Sequence, residues 1–269
     1  MCICVSDING IKHAFIDEER YLETISFAAR IGNRILNLLV SMFVVVAISY
    51  SSYALWDTYN VYRGAFLNDD LLKYKPSGGV GESNPTLEEL MLINKDVLGW
   101  IQVDDTHIDY PFVVGKDDME YVNKDIYGNF SLSGAIFLTM ANAHDLSDRY
   151  NLMYGHHMDN GGMFGDVMEF IDKKYFDKRK TGILYTPDTT YNIEIWACIE
   201  TDAYDDEVYN VLTKKTEDDM AHFISYVEKN ATNIRDDLNI QPSDKLIALS
   251  TCVDAATNGR ALVIGRLTK

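Results

Sequence analysis

A long run of uncharged residues near the N-terminus places the strongest constraint on the fold. The 22 residues from Ile35 to Trp56 contain no charged side chain. At about 1.5 Å per residue, a helix of this length spans a hydrocarbon core of roughly 30 Å. A cleaved signal peptide would have an apolar stretch of about 7–15 residues close to a basic N-terminus, whereas 34 residues precede this run. The run therefore predicts one transmembrane helix.

The residues that flank this run indicate its orientation. Basic residues occur on both sides, but Arg30 and Arg34 lie closest to the helix. Tyr50, Tyr53 and Trp56 form an aromatic belt at the other end. Basic residues favour the cytoplasmic side and aromatic residues favour the interface. We therefore expect a single-pass membrane protein with a cytoplasmic N-terminus and an extracellular main domain.

Composition and cysteine spacing exclude several classes of protein. The formal net charge of −17 argues against nucleic acid as the main partner, because a basic surface is needed to release counterions from phosphates. The four cysteines, at positions 2, 4, 198 and 252, show neither the spacing of a disulfide framework nor that of a zinc site. We expect Cys198 to be a small buried residue and predict no metal or other cofactor.

Eight segments after residue 99 are rich in Ile, Val, Tyr and Leu, with turn-forming residues between them. They cover 100–104, 106–114, 135–140, 151–156, 181–187, 191–204, 245–252 and 260–267. Between the sixth and seventh, Met220, Phe223, Ile224 and Val227 recur at helical spacing, which predicts an amphipathic helix at about 216–230. A further helix with a capping box at Thr86 is predicted ahead of the strands. The pattern is typical of a mainly β fold, either a closed barrel or a sandwich.

Candidate catalytic residues lie at the ends of three predicted strands. Cys252 ends the seventh strand, and Arg260 opens the eighth. His156 and His157 close the fourth strand ahead of a glycine-rich loop. Adjacent residues of a strand point in opposite directions, so only one of these histidines can face a given site. The residues are compatible with nucleophilic catalysis by a thiol, and also with a structural cysteine beside a surface arginine.

The segments around these residues resemble the class B sortases. That family's signature is Thr-Leu-x-Thr-Cys with an arginine in the next strand, and Leu249-Ser250-Thr251-Cys252 with Arg260 is similar to it. Further blocks follow the family's pattern in the same order: 94–101, 108–111, 133–137, 154–158 and 162–165. There are two departures. Ala248 replaces the first threonine of the signature, and Thr139 stands where many class B members have aspartate.

The resemblance implies both a fold and a set of site residues. The fold is an eight-stranded sortase-type β-barrel with N-terminal helices, a helix inserted between strands 6 and 7, and one transmembrane helix ahead of it. Cys252 is the expected nucleophile, His156 its acid/base partner and Arg260 the oxyanion stabiliser. Ser250 and Thr251 are candidate substrate-binding residues.

The resemblance also implies a reaction and its partners. The thiolate would cleave a C-terminal sorting signal of a secreted protein through a thioacyl-enzyme, and an amine of a peptidoglycan precursor would accept the protein for cell wall anchoring in a Gram-positive type cell. Pilin polymerisation, hydrolysis as a cysteine peptidase, and non-catalytic binding of sorting peptides remain alternatives. The expected organisation is a cytoplasmic tail (1–34), a transmembrane helix (35–56), a helical stem and linker (57–85) and a catalytic domain (86–269).

Overall fold

The computed structural model describes residues 6–65, 69–252 and 258–269. The chain divides into two compact units, of which the first ends at Thr58 and the second is Tyr59–Lys269. Cys2 and Cys4 lie outside the described residues.

One long helix, α1 (Ser6–Ala65), contains the predicted transmembrane run. Within it, the stretch Arg20–Tyr62 is long and apolar enough to span a membrane. Every residue of the run 35–56 is exposed. An apolar surface on all sides is typical of a helix that spans a membrane, which agrees with the predicted transmembrane run.

The second unit is built around a single closed sheet. Its strands are β1 (Val97–Val103), β2 (Asp109–Val113), β3 (Ile136–Leu138), β4 (Tyr150–Tyr154), β5 (Thr181–Tyr185), β6 (Thr190–Asp202), β7 (Asn233–Ile234), β8 (Lys245–Cys252) and β9 (Gly259–Thr268). Its helices are α2 (Asp69–Leu72), α3 (Pro85–Ile93), α4 (Lys173–Lys178), α5 (Asp206–Tyr209) and α6 (Glu217–Asn230), with 3-10 turns at Gly165–Ile171, Val211–Thr213 and Asp236–Leu238.

Eight of these strands close into a barrel, as predicted. The order is β5-β1-β2-β3-β4-β8-β9-β6, and pairing of β6 with β5 closes the ring. The two-residue β7 adds to β6 outside the ring. The pairs β2–β3 and β4–β8 are parallel, and the other pairs are antiparallel. The second predicted strand starts later than expected, at Asp109, because a turn with Asp105 at φ 58° precedes it.

Alternation of side chains divides the core between the two surfaces of the barrel wall. Ile247 and Leu249 of β8 belong to the cluster that fills the barrel, together with residues from the other seven strands of the ring. Leu246 and Ala248 face outward and pack in a second cluster with Phe223 of α6. Successive strand residues point to opposite faces, so the even-numbered positions of β8 lie on the outer surface.

The helix predicted between the sixth and seventh long strands is α6. Thr216 caps it, since its hydroxyl accepts a bond from Asp219 N at 3.1 Å while Asp219 Oδ2 accepts one from Thr216 N at 2.9 Å. The four apolar residues that predicted this helix are all buried against the barrel. The inserted helix is therefore confirmed, and it covers the outer surface of β4, β8, β9 and β6.

The helix predicted at Thr86 begins at a different residue. Asn84 is the N-cap of α3, and its side chain makes no capping bond. Pro85 occupies the first turn, where its fixed φ is suitable and its missing N–H costs nothing. The Asn84 amide instead donates to Thr190 Oγ1 and Thr186 O, both at 2.9 Å. The predicted capping box is therefore wrong, although the helix is present.

Candidate active site

The predicted site positions lie near one rim of the barrel, at or just beyond the ends of three neighbouring strands. Strand β8 lies between β4 and β9. On one side Tyr154 pairs with Ser250, and on the other Cys252 pairs with Arg260. Paired positions of an antiparallel ladder lie on the same face of the sheet. The arginine position is therefore directly opposite the cysteine position, and β4 ends beside β8, on the side away from β9.

The segment that carries His156 is bonded to the signature strand. Gly155 N donates to Ser250 O at 3.2 Å, and Thr251 Oγ1 donates to Gly155 O at 3.0 Å. Thr251 is only 2% exposed. These two bonds extend the β4–β8 pairing past the last residue of β4, so the histidine begins its loop alongside the end of β8.

The two histidines follow the end of β4 at Tyr154 and reach different surroundings. His156 is half-buried, and its Nε2 lies 2.7 Å from Val122 O. His157 Nε2 lies 3.4 Å from Asp159 Oδ1. His157 also lines a cavity of about 560 Å³ that includes Asp166 and Arg179. The structure thus separates the first histidine, beside the signature strand, from the second, which contacts the following loop.

Arg260 lies on the outer surface of the barrel near an aromatic side chain. It is half-buried, and its Nη1 donates to Gly259 O at 3.0 Å. Burial raises the pKa of Tyr154 well above its ordinary value, and Asp118 raises it further while the charge of Arg260 lowers it. Tyr154 is therefore a neutral phenol at neutral pH, and it lies beside β8 because it pairs with Ser250.

A tyrosine from the connection before α6 covers the signature strand. The hydroxyl of Tyr209 lies 3.1 Å from Ser250 Oγ. Its ring stacks on that of Tyr154, with 6.2 Å between centroids and 11° between planes. Ser250 is consequently only 2% exposed. Sequence reasoning missed Tyr209, because a four-residue helix carries no hydrophobic period.

One carboxylate holds the short helix α5 in this position. Asp205 caps the helix by accepting from Glu207 N at 3.1 Å. It also accepts from Tyr226 OH at 2.6 Å and from the hydroxyl of Thr201. Desolvation and this carboxylate raise the pKa of Tyr226 to about 12. Asp205 thereby links β6, α5 and α6 beside the candidate site.

A second carboxylate occupies the region where the sequence departs from the family. Asp118 accepts from Thr139 Oγ1 at 2.8 Å and from Met140 N at 2.7 Å. Sequence reasoning assigned no carboxylate at position 139. The structure brings one there from the connection between β2 and β3, 21 residues away in the chain.

Cys198 is a buried core residue, as expected. It lies in β6 with no exposed surface. Burial raises the pKa of its thiol to about 12. Because the thiolate is the nucleophilic form, Cys198 is unsuited to catalysis at neutral pH. Across the described ranges, no group of three or more His, Cys, Asp or Glu side chains could hold a metal ion.

Comparison with known proteins places the chain in a family. No model of a protein family matches the chain. The chain is 30% identical over 190 residues to sortase B of Listeria monocytogenes serovar 1/2a, covering 70% of this chain and 76% of that protein. It is 25% identical over 237 residues to sortase B of Staphylococcus aureus, covering 86% and 96% of the two chains.

Solved structures agree with these relatives. A Streptococcus pyogenes class B sortase involved in pilus biogenesis superposes with a TM-score of 0.61 at 36% identity, covering 68% of this chain and 97% of that one. A Staphylococcus aureus sortase B–substrate complex gives a TM-score of 0.64 at 25% identity, covering 70% and 87%.

The closed barrel and these relatives define the class of protein as a sortase-type cysteine transpeptidase. The chain belongs to the sortase B family. Sortases are generally associated with membranes and act on proteins that carry sorting signals, and the apolar helix α1 is compatible with such an association.

Proposed function

We propose that Cys252, His156 and Arg260 carry out the transpeptidation. The observation that supports this proposal is the register of three adjacent strands. Cys252 of β8 pairs with Arg260 of β9, and on the other side of β8 lies β4, which ends two residues before His156. A nucleophile, an acid/base group and a cation for the oxyanion are the three components that acyl transfer requires.

The first half-reaction forms the thioacyl-enzyme. The Cys252 thiolate attacks a backbone carbonyl of the sorting signal, and the electron pair of the C=O bond moves to oxygen. Arg260 stabilises this oxyanion. When the tetrahedral intermediate collapses, the C–N bond breaks and His156 gives its proton to the departing amine. The part of the substrate on the amino-terminal side of the broken bond is then held on Cys252 as a thioester, through its carbonyl carbon.

The second half-reaction transfers the protein to an amine. The incoming amine attacks the thioester carbonyl, and the neutral His156 takes the proton that the amine loses. Collapse breaks the C–S bond and regenerates the thiolate. We propose an amine of a peptidoglycan precursor as the acceptor, so that the product is anchored to the cell wall. Transfer requires this amine to react faster than water.

A pilin lysine is the second candidate acceptor. The Streptococcus pyogenes structure that is 36% identical to this chain is a class B sortase involved in pilus biogenesis. The chemistry is the same for both acceptors, because each supplies a primary amine. The two candidates differ only in the molecule that carries it.

The discriminating experiment compares acceptors for one donor. A pentapeptide library identifies the cleaved sorting signal, and the purified protein is then supplied with that peptide and either a peptidoglycan-precursor amine or a lysine-bearing pilin peptide. We expect the precursor amine to increase product formation and Cys252→Ala to abolish it. Equal rates with and without any amine would contradict transpeptidation and favour a hydrolytic peptidase. Preference for the pilin peptide would favour pilus assembly.

We also propose the domain organisation and topology that the sequence predicts. In this proposal residues 1–34 are cytoplasmic, 35–56 cross the membrane, 57–85 form a stem and linker, and 86–269 form the extracellular catalytic domain. The support is that the apolar run and the barrel fall in different compact units. A truncated protein beginning at Leu72 should be soluble and active. Protection of the barrel from protease added outside intact cells would contradict the orientation.

A further inference from the structure

The imidazole of His156 is held by a backbone carbonyl from a distant part of the chain. Its Nε2 lies 2.7 Å from the carbonyl oxygen of Val122, which is 34 residues earlier in the chain. Val122 belongs to the long connection between β2 and β3, residues 114–135. A carbonyl oxygen can only accept a hydrogen bond. The bond therefore requires a proton on Nε2, and in the neutral ring the lone pair is then on Nδ1.

The connection that supplies this carbonyl is itself anchored. Tyr121 is 3% exposed, and its hydroxyl donates to Asp96 Oδ2 at 2.8 Å while accepting from Asn94 Nδ2 at 2.9 Å. Its own carbonyl accepts from Ala135 N at 3.1 Å. These bonds fix the residue next to Val122 at both its side chain and its backbone, so the peptide that faces the imidazole has a defined orientation.

A glycine with left-handed backbone closes the connection against the histidine. Gly134 has φ 62°. A Cβ at this position would lie 2.5 Å from Val122 O, 2.8 Å from Tyr121 O and 3.1 Å from His156 Cδ2. The two carbonyl contacts are shorter than real Cβ contacts and the contact with the ring is tight, so a side chain here must displace the two carbonyls and press on the imidazole. The absence of a Cβ allows the carbonyl and the ring to approach each other.

We propose that the Val122 carbonyl is a positioning group for His156, and that it makes Nδ1 the nitrogen that exchanges protons during transpeptidation. This proposal rests on the proposed role of His156 as the acid/base group. In the first half-reaction Nδ1–H is broken and its proton goes to the departing amine. In the second, Nδ1 takes a proton from the incoming amine. Nε2 keeps its proton and its bond to Val122 O throughout, so the ring does not rotate between the two steps.

Two glycines in the same connection provide a matched pair of variants. Gly134→Ala introduces a methyl group that crowds both Val122 O and the imidazole. Gly128 also has positive φ, 81°, but a Cβ there would meet nothing within 4 Å. Gly128→Ala therefore imposes comparable backbone strain without touching His156, and it separates the positioning effect from a general effect on the connection.

The test measures the tautomer and the rate in the same samples. Full-length protein in detergent micelles is labelled with 15N-histidine, and the His156 signals are assigned by their loss in His156→Gln. At a pH where the ring is neutral, we expect the wild type and Gly128→Ala to show a protonated Nε2 and an unprotonated Nδ1. We expect Gly134→Ala to show a mixture of both tautomers and a kcat for peptide cleavage at least about tenfold lower, the scale of a small misplacement of a catalytic group.

The outcomes distinguish this proposal from the proposed function. A wild-type His156 protonated on Nδ1, or Gly134→Ala with an unchanged tautomer, would overturn the positioning role. Full activity of His156→Gln would instead overturn the catalytic role and leave the tautomer result standing. If Gly134→Ala does not fold, Tyr121→Phe serves as the second variant. This substitution removes the hydroxyl bonded to Asp96 and Asn94. We expect part of the His156 population to move to the tautomer protonated on Nδ1, a smaller part than in Gly134→Ala. An unchanged tautomer would count against the proposal.

Discussion

Thr251→Val tests whether the signature strand holds the histidine segment in place. The Thr251 hydroxyl donates to Gly155 O at 3.0 Å, and the residue is 2% exposed. Valine keeps the shape of threonine but cannot donate. Gly155 is half-buried, and a carbonyl that loses its donor in the interior costs about 1–3 kcal/mol. With a urea m-value of about 2 kcal/mol/M, the unfolding midpoint should fall by roughly 0.5–1.5 M.

The assay follows the barrel alone. Trp100 and Trp196 are almost fully buried in it, so their fluorescence reports its unfolding in a protein truncated at Leu72. Because Gly155 directly precedes His156, we expect kcat/KM for peptide cleavage to fall by about tenfold as well. Substrate binding by Ser250 and Thr251 remains a prediction, and this variant leaves the Ser250 side chain unchanged.

An exposed threonine provides the control. Thr232 is exposed, and its hydroxyl donates to Glu200 Oε2 at 3.1 Å. Water can replace that donor, so Thr232→Val should change the free energy of unfolding by less than about 0.5 kcal/mol. If the two valine variants lose the same stability, or if Thr251→Val keeps full activity, the bond to Gly155 does not position the histidine.

Three further predictions concern the cysteines and histidines. Cys252→Ala should abolish peptide cleavage while Cys198→Ala, its buried counterpart, leaves most activity; equal losses in folded proteins would contradict the assigned nucleophile. His156→Ala should lower turnover by about 10²-fold or more, with a milder effect from His157→Ala, and the reverse order would show that the wrong histidine was chosen. Burial raises the pKa of Cys198 to about 12, so above pH 9 the unfolded state loses this proton first. The difference in free energy of unfolding between the wild type and Cys198→Ala should then decrease by on the order of 1 kcal/mol per pH unit. Urea unfolding of both proteins from pH 8 to 10.5 measures this difference. A difference that does not change with pH would contradict the prediction.

Much of the fold could be predicted because long strands and helices have clear periods. The alternation in 191–195 places β6, and the spacing of Met220, Phe223, Ile224 and Val227 places α6. Short elements carry no such period, so sequence reasoning missed α4, α5 and the 3-10 turn Gly165–Ile171. The N-cap of α3 was assigned wrongly because Asn84 uses its side chain for contacts that are remote in sequence.

The sequence predicts the site residues whose side chains have a distinctive chemistry, but not the groups that hold them in place. A cysteine, a histidine and an arginine in recognisable segments indicate a reaction, and strand adjacency brings their positions together. The partner of His156 is a backbone carbonyl, which every residue possesses, so position 122 has no distinguishing signal. Asp118 was missed for a related reason, because its proximity to Thr139 depends on the path of a long connection.

The parallel pairing of β4 with β8 has a consequence for how the protein acquires activity. The residues joined by the Thr251–Gly155 bond are 96 positions apart in the chain. Ordering a loop of that size before its contacts form is entropically costly, and such pairings slow folding. The antiparallel β8 and β9 can associate locally, but that hairpin lacks the histidine until it docks beside β4. A chain in which β4 and β8 have not yet paired would therefore lack an assembled active site. During refolding, peptide cleavage should appear only when the barrel is complete, and not in proportion to the secondary structure formed.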